Sequence, residues 1–457
     1  MNDAARHPLW WDAIAVSKNR ATLDSDISTD VAIVGAGYTG LWTAYYLQQR
    51  TPELNIVIID ANTVGFGASS RNGGWCSALF PTSITKLAKD FGGLQAIAMQ
   101  QALIDNLDEI ERVVSVERID CDFVRSGTIM AARNKVQVQR AKQDVVDLHR
   151  FGFAGEHLNF LMSDELLQRI KMTNMYAGTF TPHCATIHPA KLVHSLAEIV
   201  ERHGATIYEH TTATSINRGM VTTTCGTISA RFVIRATEGF TKSLSRNKRT
   251  LLPLYSLMIA TEPLPESMWS EIGLHQRETF SDYRNLLIYG QRTADNRLAF
   301  GGRGARYHFG SAIKPEFDQV GSVHTALRKT LTDLFPVLDE VKITHTWGGP
   351  LGVPRDWMPS VNFDKYRGLA SAGGYVGDGV SASNLAGRTL ADLITKQRTP
   401  ITHLPWVNHR GKPWEVEPFR WIGTNLGVAA AKRADVVEAK RNKPSKFSSL
   451  VARFTGH

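Results

Sequence analysis

Gly35, Gly37 and Gly40 stand at G-x-G-x-x-G spacing, and Asp60 follows about twenty residues after the last of them. Three glycines so spaced can bring a backbone against a pyrophosphate. Gly35 permits a tight turn, Gly37 lets backbone N–H groups approach the phosphates, and Gly40 lets a helix pack on the preceding strand. A carboxylate at position 60 can accept both hydroxyls of an adenosine ribose, and it disfavours a 2′-phosphate, hence NADP. The bare motif also occurs in ordinary βα turns, so its context decides. Val31-Ala-Ile-Val34 reads as a buried parallel strand that stops at the glycine. Leu41, Ala44 and Tyr45 give the next segment an inward helical face, and the helix N-terminus aims free N–H groups at an anion. Asn55–Asp60 is the second strand. The unit predicts a dinucleotide site.

Other residues could do chemistry. Gly65-Phe-Gly-Ala-Ser-Ser-Arg-Asn-Gly-Gly-Trp75 is too glycine-rich for regular structure and predicts a loop with free N–H groups. Arg303 and Arg306 follow a strand and could clamp a carboxylate or phosphonate, although a solvated loop or internal ion pairs fit as well. Tyr255, Tyr289, Tyr307, Tyr375 and Trp347 could wall an amine site, with about half of them serving only as core. His183, His188 and His194 match no helical metal spacing, so no metal is expected. Cys76, Cys121, Cys184 and Cys225 lie far apart without a CxxC pair, which predicts reduced thiols in a cytoplasmic protein.

A chain of 457 residues predicts two or three domains. No apolar run approaches about 18 residues, and the first residues lack the apolar core of a signal peptide, so no membrane span is expected. The net charge of +9 is concentrated partly in Lys432-Arg433 and Lys440–Lys446. Without zinc-finger spacing or an RNA-binding aromatic motif, nucleic acid is not an expected partner; a basic surface attracts anionic metabolites equally well.

Residues 1–29 read as an arm over the first strand. Residues 84–118 are helical, with Leu103, Leu107, Ile110 and Val114 on one face. Phe123–Ala132 alternates as one strand, and 134–150 is a polar helix. A helix with Pro189 in its first turn runs to about 203, and short strands follow to 234. From Leu251 to Thr346 strands surround one helix at about 316–334. Gly373–Val380 feeds a helix over Ser381–Lys396, and 422–441 is a last helix with Leu426, Ala430 and Val437 on its apolar side.

VAIVGAGYTGLWTAYYL, GFGASSRNGG, HPAKLVHSLAEIVERHG, RFVIRAT and AGGYVGDGVSASNLAGRTLADLI, in this order, resemble the D-amino-acid oxidase (glycine/sarcosine oxidase) superfamily of FAD-dependent oxidoreductases. ASSRNGGW, WGGPLG and GGYVGDGV look most like its γ-glutamylputrescine oxidase branch. The likeness runs from about residue 28 to about 400. It implies an α/β fold: a Rossmann-like FAD-binding domain with an inserted α+β substrate domain built on a mixed β-sheet. The FAD-binding parts are then 1–85, 181–250 and 344–400, the substrate parts 86–180 and 251–343, and 401–457 is an extension with a basic helix.

The resemblance also implies roles. Tyr38, Thr39 and Ala61 join Gly35, Gly37, Gly40 and Asp60 in the first FAD motif. Gly67, Ala68, Ser69, Arg71, Asn72, Gly73 and Gly74 match the loop whose hydroxyls, N–H groups and Arg71 charge can meet the pyrophosphate and the flavin edge. Ala213 matches the adenine position, and Ala236 and Thr237 the strand end beside the diphosphate. Gly348 is a further cofactor-binding candidate, and the segment Gly374, Tyr375, Gly377, Asp378, Gly379 and Val380 falls beside the isoalloxazine. There the next helix would point its N-terminus at the flavin N1–C2=O edge. Arg71 stands where some relatives carry a flavin-linking histidine, and Cys76 is read as a buried hydrophobe, so FAD is expected to be non-covalent. Arg303, Arg306, Tyr255 and Tyr289 are the substrate-binding candidates, with Trp347 and Tyr375 as catalytic candidates near the flavin. A lysine that assists the oxygen reaction in sarcosine-oxidase relatives has no counterpart in Asn296–Gly302. The expected activity is oxidation of a small primary or secondary amine bearing an anionic group to an aldehyde, with hydrogen peroxide formed. The alternatives are an amine or amino-acid dehydrogenase with another acceptor, and a non-catalytic FAD- or nucleotide-binding interaction protein.

Overall fold

The computed structural model describes residues 4–14, 19–244 and 247–447. Its centre is Ile27–Val34, a strand held in parallel between Thr227–Arg235 and Ile56–Ile59. Alternation splits its side chains between two cores. Val31 and Ile33 face the helices Tyr38–Arg50, Pro189–Arg202 and Gly379–Ile394, whereas Ala32 and Val34 face a smaller cluster with Val57, Ile59 and Val221. The full sheet has eight strands: Thr206–Tyr208 extends it at one edge, and Ala213–Asn217 with Met220–Thr223 at the other. Leu369–Gly373 joins beside the end of Thr227–Arg235 and carries Ser360–Asp364 with it.

The second eight-stranded sheet is mixed. Its strands are antiparallel except Thr279–Asp282, which runs parallel to Thr128–Ala132. Leu252–Thr261, buried at all ten positions, pairs with Ile343–Val353 and Leu298–Arg303. One face packs on Leu327, Leu331 and Leu334 of the helix Gly321–Leu334. The other face presents Met258, Ala260, Ala299 and Trp347 to Leu9 and Trp10 of the arm. A three-stranded patch, Trp75–Ser77, Cys184–Thr186 and Val124–Arg125, stitches the crossings between the two halves.

Several expectations are corrected. The 84–118 segment breaks at Gly92 (φ +91°) into Ile84–Phe91 and Gly93–Val116. The second of these buries Met99, Leu103 and Ile110 in the nucleotide-side core, so 86–180 is not wholly a substrate part. Phe123–Ala132 is two strands in two sheets, divided at Gly127 (φ +85°). Ile343–Val353 belongs wholly to the second sheet, so the last crossing comes after Val353 rather than at 344. The arm lies over the second sheet, with Ala5 N–H on Thr344 O at 2.8 Å; among its described residues, the stretch around Leu23 reaches the first sheet. The terminal helix Phe419–Arg441 turns Ala430, Ala431, Ala434 and Glu438 inward and leaves Leu426 exposed. Among the described residues no helix is long and apolar enough to cross a membrane.

Candidate active site

The first glycine turn is closed by contacts that no side chain would allow. Gly35 has φ +115°, and a Cβ there would lie 2.4 Å from Ala236 O. A Cβ on Gly40 would lie 2.0 Å from Gly35 O. At Gly37 it would meet only the Ser69 hydroxyl, at 2.8 Å. Ser69 Oγ accepts the Tyr38 N–H at 2.9 Å, which draws the second glycine loop onto the N-terminus of Tyr38–Arg50. Thr39 Oγ1 and the Tyr375 hydroxyl, 3.0 Å apart, tie that N-terminus to the segment leading into Gly379–Ile394. Neither helix has a side-chain N-cap of its own. Two partial positive ends thus share one glycine-walled cradle, an arrangement that suits a diphosphate. Asp60 accepts the N–H groups of Ala36 and Asn62, each at 2.9 Å, and burial raises its carboxyl above the usual range. Each oxygen retains a lone pair for a ribose hydroxyl. Ala61 follows in the turn, Ala213 begins an outer strand of the same sheet, and Thr237 shares its hydroxyl hydrogen bond with Thr241. The cradle fits a dinucleotide such as FAD.

The second loop departs from expectation at Arg71. Its Nε donates to Phe66 O, and Nη1 donates to Asp318 Oδ2 at 2.6 Å and Gly348 O at 3.1 Å. The charge is met by Asp318, so Arg71 staples the loop to the second sheet instead of offering a free cation to a phosphate. Asn72 folds back on the carbonyls of Ala68 and Ser69 and accepts the Gly74 N–H. Gly73 leaves room for the Tyr289 ring, which a Cβ would approach to 2.6 Å, and Gly67 leaves room for Phe240. Three indoles brace this loop: Trp10 Nε1 on Asn72 O, Trp11 Nε1 on Ser70 Oγ and Trp347 Nε1 on Arg71 O, each at 2.9 Å. Trp347 is 1% exposed, so it positions the loop from the core rather than facing a reactant.

Past the second sheet the chain returns through Gly373, Gly374 and Gly377, all with positive φ, and through Val376 at φ +57°. A β-branched residue is strained in that region. Glu238, which the sequence reading missed, holds the turn by accepting the N–H groups of Gly374 (2.7 Å) and Tyr375 (3.3 Å). The available signal was its place directly after Ala236-Thr237. Burial lifts its carboxyl to about 7, against hydrogen bonds that pull it down. A carboxyl raised on folding binds its proton more tightly in the native state. Its contribution is therefore whole below about 4.5 and is lost as pH rises through about 7. Glu238→Gln removes that loss, so relative to the parent it should gain at most about 2–3 kcal/mol between pH 5 and 8. Urea unfolding at a series of pH values measures this; a pH-independent difference would contradict the shift.

On the substrate side the two arginines separate. Arg303 ends the strand Leu298–Arg303, donates from Nη2 to Val376 O and lies 5.4 Å from the Trp357 ring centroid. Asp378 shares its surroundings; burial lifts that carboxyl to about 6 while Arg303 opposes the rise. Arg306 is exposed beside Lys432 of the terminal helix, so the expected double clamp does not form. Tyr289 bonds Ser256 Oγ at 2.9 Å and stands between Gly73 and Gly301 at the seam of the two halves. Tyr255 and Tyr307 are core, the latter bonded to Glu417 at 2.7 Å. Of the five aromatic candidates, Tyr289 and Tyr375 face the seam. Gly379 packs on the Tyr375 ring and Val380 is buried behind it. His188 caps the helix Pro189–Arg202, and His183 bonds His157 at 2.8 Å.

A dinucleotide cradle facing a mixed-sheet half across a glycine-rich seam defines a flavin-dependent oxidoreductase. The comparisons agree: the family described as FAD-dependent oxidoreductase (DAO) matches residues 30–393. The chain belongs to that family, its cofactor is FAD, and it acts on amines or amino acids. It is 29% identical over 380 residues to the gamma-glutamylputrescine oxidoreductase of Escherichia coli K12, covering 82% of this chain and 85% of the relative. The glycine oxidase of Geobacillus kaustophilus is 25% identical over 405 residues, covering 84% and 98%. A crystal structure of glycine oxidase from that organism superposes with a TM-score of 0.70 at 21% identity, covering 84% of this chain and all of the other.

Proposed function

We propose that the chain oxidises a small primary or secondary amine carrying an anionic group, with oxygen as acceptor. A carboxylate, a γ-glutamyl group or a phosphonate would serve as the anion. The observation that carries this reading is Arg303. Its guanidinium stands at the seam opposite Gly377, and among the described residues no carboxylate comes within ion-pair distance of it. Burial lowers its hold on its proton, and a substrate anion would compensate the charge. The name of the Escherichia coli relative pairs a γ-glutamyl group with an amine, which supports the same class.

FAD, when bound, supplies the two-electron acceptor. The protein orients and desolvates. Arg303 would hold the anionic end, while the rings of Tyr289 and Tyr375 confine the amine between the two halves. The neutral amine loses the C–H next to nitrogen with its electron pair, and water splits the resulting imine into an aldehyde and ammonia or an alkylamine. Oxygen takes up the two electrons with two protons and leaves as hydrogen peroxide. The absence of lysine from Leu298–Arg303 favours one second reading, a dehydrogenase that passes the electrons to another acceptor.

Anaerobic mixing with an amine panel tests the proposal. ω-Amino carboxylates, γ-glutamyl amines and aminoalkyl phosphonates should bleach the flavin faster than alkylamines of equal length. Bleaching by none of the amines would sink it. Peroxide released per flavin reoxidised in air then separates the oxidase from the dehydrogenase.

A further inference from the structure

The arm brings two potential ligands, His7 and Asp12, against His345 of the strand Ile343–Val353. Asp12 Oδ1 lies 2.7 Å from His7 Nε2, and Oδ2 lies 2.8 Å from His345 Nε2. One ligand atom from each residue falls within 4.8 Å of the other two. Thr344 Oγ1 lies 2.9 Å from His345 Nδ1 and steadies the ring, which leaves Nε2 turned toward the carboxylate. A divalent metal would serve both imidazoles and the carboxylate together.

We propose that His7, Asp12 and His345 form a zinc site that staples the arm to the second sheet. Two imidazoles and a carboxylate fill three of the four positions zinc prefers, with water in the fourth. The ligand atoms need only shift to about 3.3 Å from one another, the spacing set by metal–ligand bonds of about 2.0–2.2 Å. His7 and Asp12 are half-exposed on the arm and free to adjust, whereas His345 is buried. The Nδ1–Thr344 bond is the kind of outer contact that orients a metal-bound imidazole. The staple lies beside Trp10 and Trp11, whose indoles hold Asn72 and Ser70 of the second glycine loop. The metal would thus tighten the brace of the cofactor loop without touching the cofactor.

The FAD-loaded full chain, stripped with chelator and dialysed against zinc chloride, should retain one zinc per chain. His7→Gln and His345→Gln should each weaken retention by more than tenfold. His183→Gln, which removes the other close histidine pair, should leave it unchanged. Zinc should also slow tryptic cleavage after the exposed Arg6 in the parent chain but not in His7→Gln. His345 is buried, so the variant at half-exposed His7 decides. Failure of the parent to bind zinc, or retention undiminished in His7→Gln, overturns the proposal, as does a loss caused by His183→Gln.

Discussion

Gly40→Ala is expected to accumulate without FAD and to lose about 2–3 kcal/mol of stability. The added Cβ would stand 2.0 Å from Gly35 O, between a helix and a turn, where only backbone can move. Gly37→Ala tests the neighbouring position at far lower steric cost, because its Cβ meets only the Ser69 hydroxyl, which can rotate away. That rotation releases the Tyr38 N–H bond, worth about 1 kcal/mol. Gly37→Ala should therefore fold with a nearly unchanged urea midpoint while binding FAD more weakly. The two variants separate turn from ligand: one fails in folding, the other in cofactor affinity. Flavin absorbance per chain together with the urea midpoint reads both. A Gly40→Ala protein with full FAD and an unshifted midpoint would show that the helix does not pack so close.

Arg303→Met should lower kcat/KM for an anionic amine by about 2–4 kcal/mol, the scale of a charged hydrogen bond broken in a desolvated site. For a neutral amine such as benzylamine little change is expected. Arg306→Met, at the exposed position beside Lys432, should alter neither. Equal losses on both substrates would give Arg303 a different role, that of holding Val376 in its left-handed backbone through the carbonyl it bonds. No loss on either would remove the anion from the substrate.

What the sequence made legible follows the range of the interactions. The turn at Gly35 and Gly40, with Asp60 behind it, was legible because strand, turn and helix are contiguous. The partner of Arg71 is Asp318, and that of Gly374 is Glu238; neither pairing leaves a periodic trace between such distant positions. Arg303 and Arg306 look like a pair because they are three residues apart. The strand ends at Arg303, however, and the chain turns outward before Arg306. Gly92 and Gly127 were visible, but apolar spacing runs across both, and only their positive φ breaks the elements there. The arm was legible as an arm; its seat on the second sheet depends on Thr344 and Thr346, hundreds of residues away.

The placing of Ile27–Val34 has a consequence for how the chain is made. One neighbour, Ile56–Ile59, follows almost at once, but the other, Thr227–Arg235, is separated from Val34 by about 190 residues. At roughly 5–20 residues per second, a ribosome needs about 10–40 s to deliver it. During that interval the strand has one open edge, and the first segment of the second sheet, Thr128–Thr181, emerges with Leu252–Thr261 still unsynthesised. Leu369–Gly373, which completes the centre of the first sheet, comes later still. Neither half can close before the other is mostly translated, so both sheets are finished together, near the end of synthesis, and an apolar edge stays open to chaperones or to other nascent chains until then.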